Sequence, residues 1–358
     1  MPGYPVLKFF IHRLWVVLAT LLVVTAAIYG TVLLAPVESR AQLYLGHRLR
    51  ANLPEDILQR HIDWIIQEQG MDDPYPIQYV RWLGLLIQGE WGWSPTLRAD
   101  VLKALLARTP ATVELTLYAL LLFIPLGLTS GAIAGWKRGR GADQGFRLFA
   151  YIATSIPPFI LGLVLLSILY VGLHWFMPGY LSTSENMVVK SDSFRSYTGL
   201  ITVDSLLNGR IYVFWDGVRH LAMPVFTLSL FHWATLGRVT RASVIEEVNK
   251  GYITAAHARG VPDGRVLWRH AVPNVLVPSL TTSALSAATL ITGVYVIEIV
   301  FHWPGVSKLI TTIAWQPDVA LATGFAVYSV LAVLAIMILL DIVQVVVDPR
   351  LRRGGGEP

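Results

Sequence analysis

Long runs without charged side chains recur along the whole chain. Six of these runs, each bounded by Asp, Glu, Lys or Arg, contain at least 18 residues. A helix that crosses hydrocarbon needs about 20 mostly apolar residues, because lipid offers no hydrogen-bond partner to free backbone amides and carbonyls. The pattern therefore predicts six transmembrane helices, near residues 12–35, 113–136, 148–174, 220–239, 276–299 and 320–345.

The first apolar run has two interpretations. A cleaved signal peptide also begins with basic residues followed by an apolar core, but that core usually has 7–15 residues. The run 12–35 is longer than this, and the chain returns to the membrane several times afterwards. We therefore expect an uncleaved anchor.

The segment 36–112 is predicted to be a small extracytoplasmic helical subdomain that rests on the outer membrane face, with a flexible connector as the alternative. Its helical signal is the spacing of Leu58, Ile62, Ile65 and Ile66. The predicted organisation has four parts: 1–35, an N-terminal cytoplasmic segment with the first span; 36–112, the subdomain; 113–345, a five-span core with an outer loop at 175–219 and a cytoplasmic loop at 240–275; and 346–358, a cytoplasmic tail.

Composition supports an all-α integral membrane protein. Of the 358 residues, 54% are hydrophobic and 14% are charged, whereas about 25% are charged in an average soluble domain. The net charge of +5 needs no nucleic acid to explain it. Lys and Arg gather in the N-terminal segment, in 137–147, in 238–269 and in the tail, which predicts that both termini are cytoplasmic.

The sequence contains no signature of catalysis, metal binding or cofactor binding. It lacks cysteine, a phosphate-binding G-x-x-x-x-G-K-[ST] motif, H-E-x-x-H and G-x-S-x-G. His232 lies inside a predicted span, as either a proton relay or a neutral, hydrogen-bonded imidazole. An ion-coupled secondary transporter or a channel is the alternative function, although such a protein should carry charge or broken helices near the membrane midplane.

The segment 238–278 has the pattern of a docking surface. Val244, Val248 and Tyr252 form an apolar stripe at helical spacing, and small residues follow up to Gly260, where the backbone can reverse. A short second helix is predicted to expose apolar residues between Arg265 and Arg269. Such a helix fits a cleft in another protein, and an ordinary solvated loop is the alternative.

This segment resembles the EAA loop of ABC importer permeases, most closely that of the dipeptide/oligopeptide (peptide/nickel) branch. Within this branch the chain resembles the first-permease type, which has a long outer loop after the first span. The matching residues in this stretch are Tyr252, Ile253, Thr254, Ala255, Ala256, Ala258, Arg259, Gly260, Val261, His270, Ala271, Val272, Asn274, Val277 and Pro278. His257 replaces a base that is usual in the family, and neither this change nor the altered spacing at 254–256 prevents docking.

The resemblance extends over about residues 8–353. Further matches in chain order are Gln78, Tyr79, Trp82, Leu83, Gly89, Gly92 and Ser94, then 108–112, 155–159, Glu298 to Phe301 with Pro304 and Gly305, and Asp348 to Arg350. Ser307 stands where a second glycine is common in the family.

The resemblance implies a type I ABC importer permease fold with six transmembrane helices in a bacterial cytoplasmic membrane. It implies uptake of di- or oligopeptides, by alternating access, with a binding protein supplying the solute; nickel remains open as a substrate. The implied partners are a paralogous second permease, two cytoplasmic ATPase subunits and an extracytoplasmic substrate-binding protein. ATP and Mg would be bound by the ATPase subunits, and this chain would bind no cofactor and catalyse no reaction.

Two groups of functional residues follow from the resemblance. The residues expected to dock and couple to the ATPase are Glu246, Tyr252, Thr254, Ala255, Ala256, Gly260, Val266, Leu267 and Arg269. Gly260 would form the turn (or a simple helix cap), Ala255 and Ala256 the close-packing surface, and Glu246 a polar contact. The candidate outer gate consists of Glu298, Phe301, Pro304 and Gly305, for which an interfacial anchor is the alternative.

Overall fold

The computed structural model describes residues 4–34, 36–42, 54–315 and 318–347. Residues 43–53 of the predicted subdomain and most of the predicted tail, with Asp348, Pro349 and Arg350, lie outside the described residues. Within the described ranges the chain is mostly helical, and its strands form one short antiparallel hairpin, with Trp93 opposite Asp100 and Ser94 opposite Ala99.

The described residues form fifteen α-helices and two β-strands. They are α1 Tyr4–Val32, α2 Val37–Gln42, α3 Glu55–Glu68, α4 Tyr75–Ile87, β1 Trp93–Ser94, β2 Ala99–Asp100, α5 Val101–Trp136, α6 Gly141–Ser155, α7 Pro158–Leu165, α8 Thr183–Val189, α9 Ile201–Leu207, α10 Ile211–Val248, α11 Gly251–Ala258, α12 Asp263–Val266, α13 Val272–Val300, α14 Ser307–Trp315 and α15 Val319–Val347. Short π-helical turns, Leu166–Gly172 and Leu267–Ala271, continue α7 and α12.

Among the described residues, three helices contain stretches long and apolar enough to cross a membrane. These stretches are Leu14–Val32, Val101–Trp136 and Val319–Leu339. Helix α6 and helix α7 with its π-helical turn qualify together as a fourth candidate, although they are bent by 95°. The predicted ranges 220–239 and 276–299 lie within α10 and α13.

The bend between α6 and α7 differs from the single span predicted over 148–174. Ile156 and Pro157 are both extended, with ψ angles of 120° and 135°. A residue that precedes proline is sterically disfavoured in the α region, and proline has no N–H to continue a helix. The consecutive prolines 157 and 158 therefore end one helix and begin another.

The chain divides into two compact units. The first, termed the core unit, is formed mainly by Thr109–Ser307. Its centre is an apolar cluster that includes Phe123 of α5, Leu228 of α10 and Leu290 of α13. Burial of this cluster holds the three long helices together.

A row of glycines brings α5 and α10 into close contact. Gly127, Gly131 and Gly135 recur every four residues and therefore lie on one helix face. A Cβ on Gly131 would lie 2.4 Å from the carbonyl oxygen of Gly237, and a Cβ on Gly135 would lie 2.7 Å from that of Arg241. The absence of side chains lets the two backbones touch, as in other membrane helix pairs with small residues at this spacing.

The predicted outer loop 175–219 contains two short helices, α8 and α9, and the start of α10. Buried carboxylates order it: Asp204 accepts hydrogen bonds from Ser196, from the amide and hydroxyl of Thr198, and from the amide of Gly199. Burial acts to raise the pKa of Asp204, but these hydrogen bonds more than offset it and the pKa is lowered. Asp204 is therefore ionised at neutral pH.

The second unit, termed the hairpin unit, comprises Lys8–Arg108 with Lys308–Leu334. The predicted apolar face of α3 is buried: Ile62, Ile65 and Ile66 pack with Ala41 and Met71. The β1–β2 hairpin is fixed to the start of α15 by a 2.5 Å hydrogen bond from the Ser94 hydroxyl to Asp318.

Candidate functional site

The 240–275 loop is a folded extension of two long helices. Helix α10 continues to Val248, past the predicted end of its span at 239. The chain then forms α11, reverses at Gly260, and returns through α12 and its π-helical turn into α13. Both ends of the loop are therefore continuous with long helices of the core unit.

The reversal at Gly260 is a Schellman motif. Gly260 has a φ of +74°, which costs an L-residue with a side chain roughly 1–2 kcal/mol. Its amide donates to the carbonyl of His257 at 2.8 Å, and the amide of Val261 donates to that of Ala256 at 3.2 Å. These are the two hydrogen bonds of this helix ending, so Gly260 is at once the cap of α11 and the turning point of the loop.

The inner side of the loop is an apolar cluster. Val244 of α10, Ile253 and Ala256 of α11, and Val266 and Leu267 of the second helix are all buried. Ala132 of α5 belongs to the same cluster, so burial of this face fixes the loop to α5 and α10.

This packing differs from the expected exposed apolar face. Val266 and Leu267 are only 0% and 5% exposed, whereas Trp268 is 45% exposed. The sequence shows three adjacent apolar residues at 266–268. It does not show which of them face Val244 after the chain reverses at Gly260. Of the two alanines expected at a contact surface, Ala255 is exposed and Ala256 is buried.

A buried carboxylate stabilises the junction of α10 and α11. The Tyr252 hydroxyl donates to Glu247 and accepts a 3.0 Å hydrogen bond from the side-chain amide of Asn274, and Lys250 lies 2.6 Å from Glu247. Burial, together with the hydrogen bond to Glu247, raises the pKa of Tyr252 to about 12. Glu246, the residue singled out from sequence, is exposed. The apolar stripe contained the missing signal, because position 247 follows Val244 by three residues and lies on the same helix face.

The outer surface of the loop is formed by exposed residues from both of its helices. Of the residues predicted to dock, those exposed are Glu246, Tyr252, Thr254, Ala255, Gly260 and Arg269. Their exposure, on a loop whose opposite side is buried, leaves a surface that another protein can contact.

Asp143 and Arg241 form an ion pair beneath the loop that sequence reasoning missed. The Arg241 guanidinium donates through Nε to one carboxylate oxygen and through Nη2 to the other, the second at 2.9 Å. The amide of Gly139 adds a third hydrogen bond at 2.9 Å. Hydrogen bonding from Arg241, which outweighs the effect of burial, lowers the pKa of Asp143 to about 2. The pair joins the start of α6 to the extension of α10.

The candidate outer-gate residues lie around the end of α13. Glu298 is 0% exposed and accepts hydrogen bonds from the Thr112 hydroxyl at 2.5 Å and the Ser307 amide at 2.9 Å. The Thr112 hydroxyl also accepts the amide of Val306 at 2.9 Å. We call these four residues, with Gly305, the Glu298 cluster; it joins the turn after α13 to α5.

The other three candidate gate residues, Phe301, Pro304 and Gly305, lie in this turn. A Cβ on Gly305 would lie 1.9 Å from a carboxylate oxygen of Glu298, so the carboxylate occupies the space that a side chain would need. Phe301 is buried in the apolar cluster of the core unit, and Pro304 is half-buried. The outer gate stays a prediction from sequence, and the sequence did not indicate Thr112 as a partner of Glu298.

His232 is buried between aromatic rings. Its ring centre lies 5.4 Å from that of Phe123 and 5.5 Å from that of Phe231. Its Nδ1 has no hydrogen-bond partner within the part of the chain that the structure describes. The same part contains no group of three or more His, Asp or Glu side chains that could hold a metal ion.

Comparison with known proteins identifies the family. Residues 124–353, which include the 240–275 loop, Glu298 and the turn after α13, match the family described as binding-protein-dependent transport system inner membrane component. The chain belongs to this family. The resemblance inferred from the loop motif is thus confirmed, and the chain is an inner-membrane permease subunit of a binding-protein-dependent transport system.

Relatives of this permease extend the similarity to nearly the full chain. It is 32% identical to the probable D,D-dipeptide transport system permease protein DdpB of Escherichia coli (strain K12), over 83% of this chain and 86% of that protein. It is 31% identical to the di/tripeptide transport system permease protein DppB of Pseudomonas aeruginosa (strain UCBPP-PA14), over 97% and 99%. It is 30% identical to the oligopeptide transport system permease protein AppB of Bacillus subtilis (strain 168), over 86% and 90%.

Proposed function

We propose that this permease is one of two membrane subunits of an ATP-driven importer of di- or oligopeptides. The substrate class is supported by the names of its relatives, which are permeases for D,D-dipeptides, di/tripeptides and oligopeptides. In this proposal the chain crosses the membrane six times, with both termini in the cytoplasm. A paralogous permease is the second membrane subunit, and an extracytoplasmic binding protein delivers the peptide.

The observation that carries the coupling mechanism is the two-sided 240–275 loop. Its buried side, around Val244, Ile253 and Val266, is fixed to α5 and α10. Its exposed side presents Thr254, Ala255 and Arg269. An ATPase subunit docked on the exposed side would move the loop as a unit, and the buried side would transmit that movement to α10 and α13.

Transport would follow from the difference between two states of the ATPases. Two cytoplasmic ATPase subunits bind ATP and Mg and close on each other, and their closure shifts the docked loops. Coupling requires that the contacts between loop and ATPase differ in free energy between the open and closed states, since contact alone shifts no equilibrium. The α10–α13 pair would then rock and expose a central cavity alternately to each side of the membrane.

We place the outer gate of this cycle at the Glu298 cluster. The carboxylate of Glu298 fixes the turn after α13 to Thr112 of α5 through hydrogen bonds at 2.5 and 2.9 Å. A gate must hold a defined closed geometry, and a buried carboxylate with satisfied hydrogen bonds supplies it. Phe301 would close the apolar part of the path.

The coupling proposal is tested by Gly260→Val in the complete transporter, reconstituted in vesicles. Among the described residues, no atom lies within 4 Å of a Cβ at this position, so the substitution acts through the φ of +74° and not through a clash. Strain of about 1–2 kcal/mol in the turn should lower ATP-dependent peptide uptake by roughly tenfold. ATP hydrolysis and membrane insertion should persist, which is uncoupling.

Gly264→Ala is the matched control. It lies on the same loop, is exposed and has no positive φ, and no atom of the described part of the chain lies within 4 Å of a Cβ there. Uptake should therefore stay close to that of the unchanged protein. Normal uptake by the Gly260→Val protein would rule out the assigned coupling role. Uptake that survives ATP depletion but stops with a proton uncoupler would instead support the ion-coupled transporter.

A further inference from the structure

The hairpin unit contains a cavity of about 390 Å³ that the transport function leaves unassigned. It lies between the end of α1, the helices α2 and α4, the β1–β2 hairpin and the start of α15. Its walls are rich in aromatic rings, from Tyr29, Trp82, Trp91 and Trp93, and the rings of Tyr29 and Trp82 stack at 4.9 Å. A cavity of this volume and lining is of the kind that binds small amphipathic molecules.

Most charges in the cavity wall already have partners. Arg81 is 2.6 Å from Asp73 and donates to the carbonyl of Gln69 at 2.8 Å. Asp318 accepts hydrogen bonds from the Ser94 hydroxyl and from the amide of Leu321. Asp318 therefore caps α15, and it is only 3% exposed.

Arg40 is the exception in this wall. A guanidinium has five N–H donors, but its Nη1 and Nη2 make only long hydrogen bonds, 3.3 Å to Gln78 and 3.4 Å to the carbonyl of Met71. Its Nε is buried and has no partner among the described residues. A donor atom with no exposed surface is closed to a ligand, but Nη1 and Nη2 carry four N–H groups and make one long hydrogen bond each. These two nitrogens can therefore still donate to an oxyanion in the cavity.

The cavity lies where two apolar helices end. The apolar stretch Leu14–Val32 of α1 ends at its wall, and the stretch Val319–Leu339 of α15 begins there. Tyr and Trp concentrate at the boundary between hydrocarbon and water in membrane proteins, which agrees with the four rings in the wall. The cavity is thus at the depth of lipid headgroups.

We propose that this cavity binds an anionic phospholipid, with the phosphate on Arg40 and the glycerol and upper acyl chain against the aromatic rings. A zwitterionic peptide fits less well, because its ammonium group would need a carboxylate and Asp318 is only 3% exposed. Phosphatidylglycerol needs only the Arg40 guanidinium for its phosphate and the apolar wall for its glycerol and upper acyl chain. The proposal concerns a site for lipid, separate from the docking loop and the gate.

The test uses the complete transporter in detergent, titrated with dioctanoyl-phosphatidylglycerol and followed by native mass spectrometry. Arg40→Gln removes the guanidinium and should weaken binding by roughly tenfold or more, since a hydrogen bond to a charged group contributes about 1.5–3 kcal/mol. Arg60→Gln is the matched control: Arg60 is exposed on α3, pairs with Asp56 at 2.8 Å, and lies outside the cavity wall, so binding should be unchanged.

A second variant distinguishes a loss of lipid binding from misfolding of the protein. Thr323→Leu narrows the cavity from α15 without touching Arg40. Within the described ranges, the Thr323 hydroxyl bonds only to carbonyls of its own helix. It should also weaken binding, while gel filtration shows an intact complex. Dioctanoylglycerol, which has the same tails and no phosphate, should bind much more weakly than the phospholipid.

Several outcomes would overturn the proposal. Equal phospholipid binding by the Arg40→Gln and Arg60→Gln proteins would remove the role of Arg40. Displacement of the lipid by millimolar inorganic phosphate would assign the cavity to the free anion. Displacement by a dipeptide, but not by its C-terminal amide, would assign it to transported peptide.

Discussion

A single buried carboxylate fixes the turn after α13. Glu298 has hydrogen bonds to Thr112 and Ser307, and the adjacent Gly305 leaves room for it because a Cβ there would lie 1.9 Å away. Gly305→Ala should therefore push the carboxylate off its partners. We expect a loss of stability of about 1–3 kcal/mol, typical of overpacking in a buried site, measured as a lower thermal unfolding temperature of the purified complex.

The control for this substitution is Gly84→Ala. Gly84 lies in α4 and a Cβ there would meet no atom within 4 Å, while alanine favours a helix over glycine by about 1 kcal/mol. Its unfolding temperature should be equal to or slightly above that of the unchanged protein. A Gly305→Ala protein as stable as the control would show that the turn can move away from Glu298.

Neighbouring glutamates show what sequence can and cannot assign at this scale. Glu246 was predicted as a polar contact on the docking surface, and the structure exposes Glu246 and buries its neighbour Glu247. The helical stripe from Val244 was sufficient to indicate which of the two glutamates is buried. The pairing of Glu298 with Thr112 was not predictable, because it joins residues 186 positions apart.

At the scale of elements, the contact of α5 with α10 depends on having no side chain at Gly131. A Cβ there would lie 2.4 Å from a backbone oxygen, that of Gly237, and a backbone cannot yield as a flexible side chain can. Gly131→Ala should separate the helices and cost about 1–3 kcal/mol, seen as a lower unfolding temperature and less assembled complex. Gly145→Ala, in α6 with no atom within 4 Å, should leave both unchanged.

The ion pair between α6 and the extension of α10 has a defined pH dependence. The pKa of Asp143 is lowered from 3.8 to about 2, so its contribution to stability, roughly 2 kcal/mol, is complete above about pH 4 and is lost as the pH falls toward 2. Asp143→Asn should lower the unfolding temperature by a constant amount from pH 5 to 8. That difference should shrink below pH 4; a difference that changes between pH 5 and 8 would contradict the assignment.

Local sequence rules explain why some features of the elements were predicted and others were not. The span predicted over 148–174 ran through the Pro157–Pro158 pair, whereas the missing N–H groups of these prolines and the extended Ile156 produce the 95° bend. The reversal at Gly260 was predicted, since glycine alone takes its φ of +74° without strain. The burial of Val266 and Leu267 was not, because it depends on contacts across that reversal.

For the whole molecule, the sequence was most informative about where long apolar helices form. It was least informative about the contacts that order each of the two compact units. The apolar runs predicted helices at six places, because length without charge is a property of the chain itself. The order of the 175–219 segment depends instead on carboxylates that meet distant donors, such as Glu114 with Thr202 at 2.6 Å. Such contacts leave no periodic signal.

The six-span arrangement with cytoplasmic termini can be tested directly, because the chain has no cysteine and any introduced thiol reports alone. Exposed positions Gln67 and Ser193 lie in predicted outer segments, and exposed positions Arg138 and Ala258 in predicted cytoplasmic ones. Single-cysteine proteins at 67 and 193 should react with a membrane-impermeant maleimide in intact cells, and those at 138 and 258 only after the membrane is opened. Labelling of position 258 from outside would place the docking loop on the wrong side of the membrane for an ATPase. Protection of position 193 alone would change the number of spans and leave the assignment of the docking loop intact.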